Sequence, residues 1–207
     1  MRIVKWNTMI NNRNSIVRNQ IEYLVKNSSV MKIRNEKRGV MREKLTASDV
    51  EKIQEEIEHR KLVIRKEALE DVKVARAHGD LSENFEYKAA KQFKNQNESR
   101  IRYLEKVLKT AILISDESQV GEVGLNKTVD VLFEDEDEVE TYLLVTSIRG
   151  DSEGHKISIE SPLGKAIRGH KVGERIYIEI SANQGYYVTI QHVGEVQDDS
   201  NDEIRRF

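Results

Sequence analysis

Along residues 45–115 the apolar positions keep a helical beat. Val50, Ile53, Ile57, Ile64, Ala68, Val72 and Ala75 are spaced by three, four or their sum, which puts them on one stripe of an α-helix. Thr46 predicts the N-cap, and Asp49 holds the acidic position of a capping box, where Glu or Gln is the usual partner. Gly79 predicts the end of the helix as its C′ glycine. A second stripe follows a short connection: Phe85, Ala89, Phe93, Ile101, Leu104, Leu108 and Ala111. Neither stripe is interrupted by proline or glycine. Two matched stripes with so short a link predict an antiparallel coiled-coil hairpin. Arms of about thirty residues, at about 1.5 Å per residue, make a rod of roughly 45 Å. A rod of that length with its loop at one end is a probe rather than a compact core.

Beyond residue 120 the period changes to two. Lys127–Phe133, Thr141–Ile148, Lys156–Ile159, Arg175–Ile180 and Tyr186–Val193 are rich in β-branched and aromatic residues and predict strands. Arg149-Gly150-Asp151, Glu153-Gly154 and Asn183-Gln184-Gly185 supply turns between them. Ser161 at an N-cap and Pro162 at a first helical position predict one short helix. The fold class expected is α+β: a helical hairpin followed by a small antiparallel β domain with one short helix.

Composition narrows the classes. The chain has 207 residues, 38% hydrophobic and 34% charged, with no cysteine. Disulfides and thiolate metal sites are excluded, and a reducing compartment, the cytoplasm, is the expected location. No stretch of apolar residues is long enough to span a membrane, and the first thirty residues lack the apolar core of a secretory signal. The net charge of −2 hides an uneven distribution: residues 1–40 hold nine Lys/Arg against two Asp/Glu. The remaining body is acidic, so any nucleic-acid contact there has to be local. The expected organisation is a basic N-terminal extension over 1–44, the hairpin over 45–115, the β domain over 116–197 and a polar tail over 198–207.

Candidate chemistry concentrates at the link between the long helices, Arg76-Ala77-His78-Gly79-Asp80-Leu81-Ser82-Glu83-Asn84. Asp80 and Glu83 can share a divalent ion or orient a water, but two carboxylates cannot close a Mg²⁺ site, so they would complete a site another molecule supplies. Asp-x-x-Glu is equally a capping box for the second helix. Arg76, Lys73, Lys88, Lys91 and Lys94 form a basic collar able to meet phosphates, or simply a solvated helix surface. His78 reads as a helix C-terminal cation. Phe85 and Tyr87 are able to stack on a base, although the stripe assigns Phe85 to the core. The acidic run Glu134–Glu138 lies between two strands and reads as a solvated hairpin tip.

Residues 75–91, Ala75 through His78-Gly79-Asp80-Leu81-Ser82-Glu83-Asn84 to Lys91, closely resemble the hairpin tip of the bacterial Gre family of transcript cleavage factors. A second block, Ile157 to Ile167 followed by Gly169, resembles that family's C-terminal domain. The resemblance covers about 45–195. It implies an N-terminal antiparallel coiled coil, a C-terminal FKBP-like domain and a transcription elongation factor that is not itself an enzyme. Such a factor enters the secondary channel of bacterial RNA polymerase as a monomer and stimulates cleavage of backtracked RNA. By position, Asp80 and Glu83 would hold a Mg²⁺ shared with polymerase and assist its catalysis. Arg76 and Lys91 would touch the nascent RNA 3′ end, and Ser161, Pro162 and Leu163 would dock on the rim of the channel.

Departures from the family pattern are Asp49 and Asn126 where glycine is usual, and Lys66 and Ala182 where proline is common. Residues 1–44 have no counterpart in the resemblance. They read as a basic arm, as a partial extra helix with Ile10, Val17, Ile21 and Leu24 in helical spacing, or as sequence upstream of a start at Met41. Rival functions are an inhibitor that occupies the polymerase channel on the same fold and an FKBP-type peptidyl-prolyl isomerase.

Overall fold

The computed structural model describes residues 15, 17–24, 42–77, 84–115, 118–181, 184–196 and 203–205. The described chain is α+β and divides into two units, one of 1–42 and 50–112, the other of 43–49 and 113–207.

In the first unit, α1 spans 17–24 and buries Val17 and Leu24, and Gln20 Nε2 donates to the Leu108 carbonyl at 3.0 Å. Ile10 lies outside the described residues. The first long stripe forms α2 (Ala47–His59), a π-helical turn (Arg60–Ile64) and α3 (Arg65–Ala77). The second forms α4 (Phe85–Thr110). Val50, Ile53, Ile57, Ala68 and Ala75 are buried, as are Ile101, Leu104, Val107 and Leu108. Cross-helix contacts fix the direction of packing: Glu56 meets Arg100, Arg60 meets Asn97, and Ala75 meets Asn84. Partner numbers fall on α4 as they rise on α2 and α3, so the helices run antiparallel.

The π turn is a departure from the uninterrupted α-helix that the spacing predicts. The apolar stripe skips from Ile57 to Ile64, and a polar layer fills the gap. Arg65 N–H reaches back to the Arg60 carbonyl, which also accepts Asn97 Nδ2 at 3.3 Å, while Arg60 Nη1 donates to Asn97 Oδ1 at 3.2 Å. The buried Asn97 amide is thereby bonded through both its ends, which removes the desolvation penalty of an unpaired polar group.

In the second unit, β1 (Lys44–Leu45) is followed by the predicted cap of α2. Thr46 N–H donates to Asp49 Oδ2 at 2.8 Å, and Asp49 N–H donates to Thr46 Oγ1 at 3.1 Å, a reciprocal capping box. The chain returns through β2 (Ile112–Leu113), and Ile114 N–H donates to the Leu45 carbonyl at 2.8 Å. The main sheet has β3 (Lys127–Phe133), β4 (Glu138–Val145), β5 (Lys156–Ser158), β6 (Arg175–Ser181) and β7 (Gln184–Val196), in the order β5-β4-β3-β7-β6. A 3₁₀ turn (Ser147–Arg149) and α5 (Pro162–Ile167) complete it. Val129, Val131, Leu144, Ile176, Ile178, Val188 and Ile190 alternate onto one face and bury with Val123, Leu125, Ile159 and Ile167 of the flanking segments.

The sheet is mixed, which corrects the all-antiparallel expectation: β4 and β5 pair in parallel, Leu143 opposite Lys156. The 3₁₀ turn carries the chain back, and the predicted Glu153-Gly154 turn then closes a tight reversal in which Asp151 and Lys156 exchange backbone hydrogen bonds at 2.9 and 2.7 Å, so β5 leaves it parallel to β4. Asn126 stands at φ 59°, the left-handed conformation expected where glycine is usual. The acidic run closes the β3–β4 hairpin over Glu134–Asp137 and is exposed, save for a half-buried Glu134. Ala182 lies outside the described residues.

Candidate functional site: the helix ends around Asn84 and the Ser161 block

Asp80 and Glu83, with His78, Gly79, Leu81 and Ser82, lie outside the described residues. What is described is the frame that holds their two ends. Asn84 Oδ1 accepts the Tyr87 N–H at 2.9 Å, which makes Asn84 the N-cap of α4. Its Nδ2 donates to the Ala75 carbonyl at 2.9 Å, in the last turn of α3. The two bonds fix the orientation of the amide, because a flipped amide would set donor against donor and acceptor against acceptor. One side chain thus satisfies an orphan N–H at the start of one helix and a carbonyl near the end of the other.

This overturns the reading of Asp80-x-x-Glu83 as the capping box of α4. Asparagine ranks with aspartate as a capping residue and stands directly before the helix. The usable signal was Asn84 followed by Glu86, an acid in the first helical turn. Asp80 and Glu83 therefore precede the N-cap residue in the sequence.

Arg76 is exposed in the last turn of α3, and Lys91 is exposed on α4 with its Nζ 6.0 Å from the centre of the Tyr87 ring. Lys88 Nζ lies 5.5 Å from the centre of the Phe85 ring. The expectation that Phe85 belongs to the core fails, because 82% of it is exposed. Phe93 and Val74 are also largely exposed, and Ala89 with them. Near this end the inward face of α4 is carried instead by Ala90, Lys94 and Asn97, half-buried or buried. The stripe drawn through Phe85, Ala89 and Phe93 is rotated off the buried line of Ala90, Lys94 and Asn97.

Further along, Glu56 receives Arg60 Nε at 2.6 Å and Arg100 through Nε at 2.9 Å and Nη2 at 3.0 Å. Burial would raise its pKa, but the hydrogen bonds from Arg100 and Arg60 outweigh that and hold the carboxyl below its ordinary 4.5. Arg65 holds Glu98 in a bidentate pair at 2.6 and 2.8 Å.

In the second unit the block expected to dock is built tightly. Ser161 Oγ accepts the Gly164 N–H at 3.0 Å and donates to the Ser158 carbonyl at 2.7 Å, capping α5 as the sequence predicts. Pro162 is exposed, and Leu163 is half-buried against the sheet core. A Cβ on Gly164 would stand 2.1 Å from the Ser158 carbonyl oxygen, so only glycine lets the helix approach the strand this closely. Glu160, just before the block, receives Lys44 at 2.7 Å and Lys165 at 3.3 Å. Burial acts to raise its pKa, and those two cations hold it below the ordinary value.

The aromatic residues of the sheet, which an isomerase pocket would need gathered on one face, differ in exposure. Phe133 stacks with Tyr186 at 5.7 Å and meets Tyr142 edge-on at 6.4 Å, all half-buried beside the core. Tyr177 and Tyr187 pair at 4.9 Å and are largely exposed. No helix among the described residues is long and apolar enough to cross a membrane.

The described fold is α+β, with capped helices and a mixed sheet whose Ser-Pro-Leu-Gly block caps a short helix. Residues 43–112 match the family described as "Transcription elongation factor, N-terminal", and residues 116–195 match "Transcription elongation factor, GreA/GreB, C-term". The transcription elongation factor GreA of Caldanaerobacter subterraneus subsp. tengcongensis is 45% identical over 139 residues, 67% of this chain and 88% of that protein. GreA of Chloroherpeton thalassium is 42% identical, covering 66% of this chain and 87% of the relative. Among solved structures, the transcription factor Gfh1 aligns over 74% of this chain and 98% of its own, at 24% identity and a TM-score of 0.38. The chain belongs to the GreA/GreB family of transcription elongation factors.

Proposed function

We propose that this chain binds bacterial RNA polymerase through its secondary channel and stimulates cleavage of backtracked nascent RNA, returning arrested complexes to elongation. In this reading residues 45–115 are an antiparallel coiled-coil hairpin and 116–197 an FKBP-like docking module, and the chain acts as a cytoplasmic monomer. The chain is not a nuclease; the polymerase active site breaks the bond.

Asp80 and Glu83 are the acids delivered there. Two carboxylates are hard oxygen donors suited to Mg²⁺, and their number fits an octahedral ion shared with polymerase rather than a closed site of the chain's own. When bound, the ion supplies the positive charge that organises an attacking oxygen. Arg76 and Lys91 neutralise phosphates of the RNA 3′ segment. Ser161, Pro162 and Leu163 dock on the channel rim, with Ser161 rigid in its cap and Pro162 facing outward.

The observation that supports this best is the Asn84 tie. It joins the end of α3 to the start of α4, and the acidic pair lies on the residues between. The test is fragment release from a defined backtracked complex. The protein should release 3′ RNA fragments faster than polymerase alone, and Asp80→Ala should return release to the polymerase rate while still competing for the channel. Release no faster than polymerase alone sinks the reading and favours a channel-occupying inhibitor.

A further inference from the structure

Phe85 is the first residue of α4 and stands one position past the cap and two past Glu83. At 82% exposed, it is far more open than its aromatic neighbours Tyr87, which is half-buried, and Phe93 at 45%. A single exposed apolar side chain is ordinary on a protein surface. Three further observations set this one apart.

The ring sits beside a cation, with Lys88 Nζ 5.5 Å from its centre, and a second ring–cation pair stands two residues further along α4, with Lys91 Nζ 6.0 Å from the centre of Tyr87. An exposed aromatic flanked by lysines is the grammar of single-stranded nucleic-acid recognition: the ring stacks a base and the cations meet the phosphates. Next, the backbone beneath Phe85 is fixed. Asn84 caps α4 through Tyr87 N–H and is tied to Ala75, so the ring is held on a rigid helix start. Finally, the surroundings are charged. Glu86 and Lys88, both exposed, lie next to it along α4, whereas the core of a protein–protein contact is depleted of charge.

We propose that Phe85 is a stacking platform for an unpaired nucleobase at the 3′ end of the extruded RNA, with Lys88 and Lys91 meeting the adjoining phosphates. The proposal rests on the reading of Asp80 and Glu83 as the cleavage acids, and it adds a base-contacting side chain two positions after Glu83 in the sequence. Stacking tolerates any base because every base presents a π face, so the platform grips without reading sequence.

The test uses the full chain on defined backtracked complexes carrying either a natural or an abasic nucleotide at the RNA 3′ terminus. Phe85→Ala should slow stimulated cleavage of the natural RNA about tenfold, the equivalent of about 1.4 kcal/mol, within the range of one base stack. Phe85→Trp should keep the rate, and Phe85→Leu, which keeps apolar bulk without a π face, should lose most of it. On the abasic RNA, wild type and Phe85→Ala should cleave alike. All three variants change an exposed side chain, and far-UV circular dichroism checks that they fold. A Phe85→Ala defect of the same size on both RNAs overturns the proposal and assigns the ring to a protein contact. Wild-type rates for Phe85→Ala, beside an inactive Asp80→Ala, overturn the stacking platform alone. Full stimulation by Asp80→Ala overturns the cleavage reading beneath it.

Discussion

Replacing either member of the Asp49–Arg149 pair should be among the costliest single changes in the second unit. Neither side chain exposes any surface, and Arg149 Nε lies 2.7 Å from Asp49 Oδ1. Asp49 Oδ2 also accepts Thr46 N–H at 2.8 Å and Thr146 Oγ1 at 2.9 Å, while Arg149 Nη2 donates to Asn126 Oδ1 at 2.7 Å. Arg149→Met keeps the volume and removes the cation, leaving a buried carboxylate whose hydrogen bonds survive but whose counter-charge is gone. Removing one partner of a buried pair costs about 3–5 kcal/mol, a large share of the roughly 5–15 kcal/mol that holds a typical domain together. Asp49→Ala strands the guanidinium and also opens the capping box, adding about 1 kcal/mol. At roughly 2–4 °C per kcal/mol for a chain of this size, Arg149→Met should melt about 6–20 °C early and Asp49→Ala about 8–24 °C early. The double variant Asp49→Ala/Arg149→Met should recover much of the loss, because no buried charge remains. Urea unfolding followed by circular dichroism measures all four proteins. Single variants within about 1 kcal/mol of wild type, or a double variant equal to the sum of the singles, would refute the reasoning.

Asn84→Ala should lose about 1–2 kcal/mol, from the cap and the Ala75 tie together, and speed hydrogen exchange at Tyr87, while Asn84→Ser keeps the cap and should lose less. Glu56 has a lowered folded pKa, so its contribution is present above its ordinary 4.5 and lost as pH falls through the lower folded value. Urea midpoints of the wild type should therefore drop below about pH 4.5 more steeply than those of Glu56→Gln; parallel curves would contradict the ion-pair assignment. Ser161→Ala should cost about 1 kcal/mol through the lost α5 cap. Gly164→Ala should cost more, because its Cβ would overlap the Ser158 carbonyl, and both are read from melting curves.

Much of this was legible in the chain, for reasons that differ by element. Thr46-x-x-Asp49 and Ser161-Pro162 are local signals, each resolved within one turn, and both caps form where the sequence sets them. The limits of β3 follow from a clean alternation of buried and half-buried positions. The parallel β4–β5 pairing was not legible, because glycine-rich turns announce a reversal but not which edge the returning strand will join. Helical spacing put Phe85 on the core stripe, yet spacing alone cannot say which of two neighbouring lines on the helix faces its partner, and the buried line runs through Ala90, Lys94 and Asn97 instead. Asp49 and Asn126 each read as isolated departures from glycine. The structure connects both to Arg149, a contact between residues far apart in sequence that no local pattern encodes. For the candidate site, the acids were legible as two carboxylates in the link between the helices and again in the resemblance, whereas the tie from Asn84 to Ala75 joins residues nine apart and is seen only in the fold.

The claim on which the rest depends is that Asp80 and Glu83 together complete a metal site belonging to polymerase. The direct measurement is a Mg²⁺ titration of RNA cleavage in a defined backtracked complex, run with polymerase alone, with the wild-type chain and with Asp80→Asn/Glu83→Gln. Competition for the channel is followed in the same samples. The wild-type chain should lower the Mg²⁺ concentration that half-saturates cleavage, and the double variant should occupy the channel while leaving polymerase's own Mg²⁺ curve in place. A double variant that shifts the Mg²⁺ curve as far as the wild type does would contradict the account.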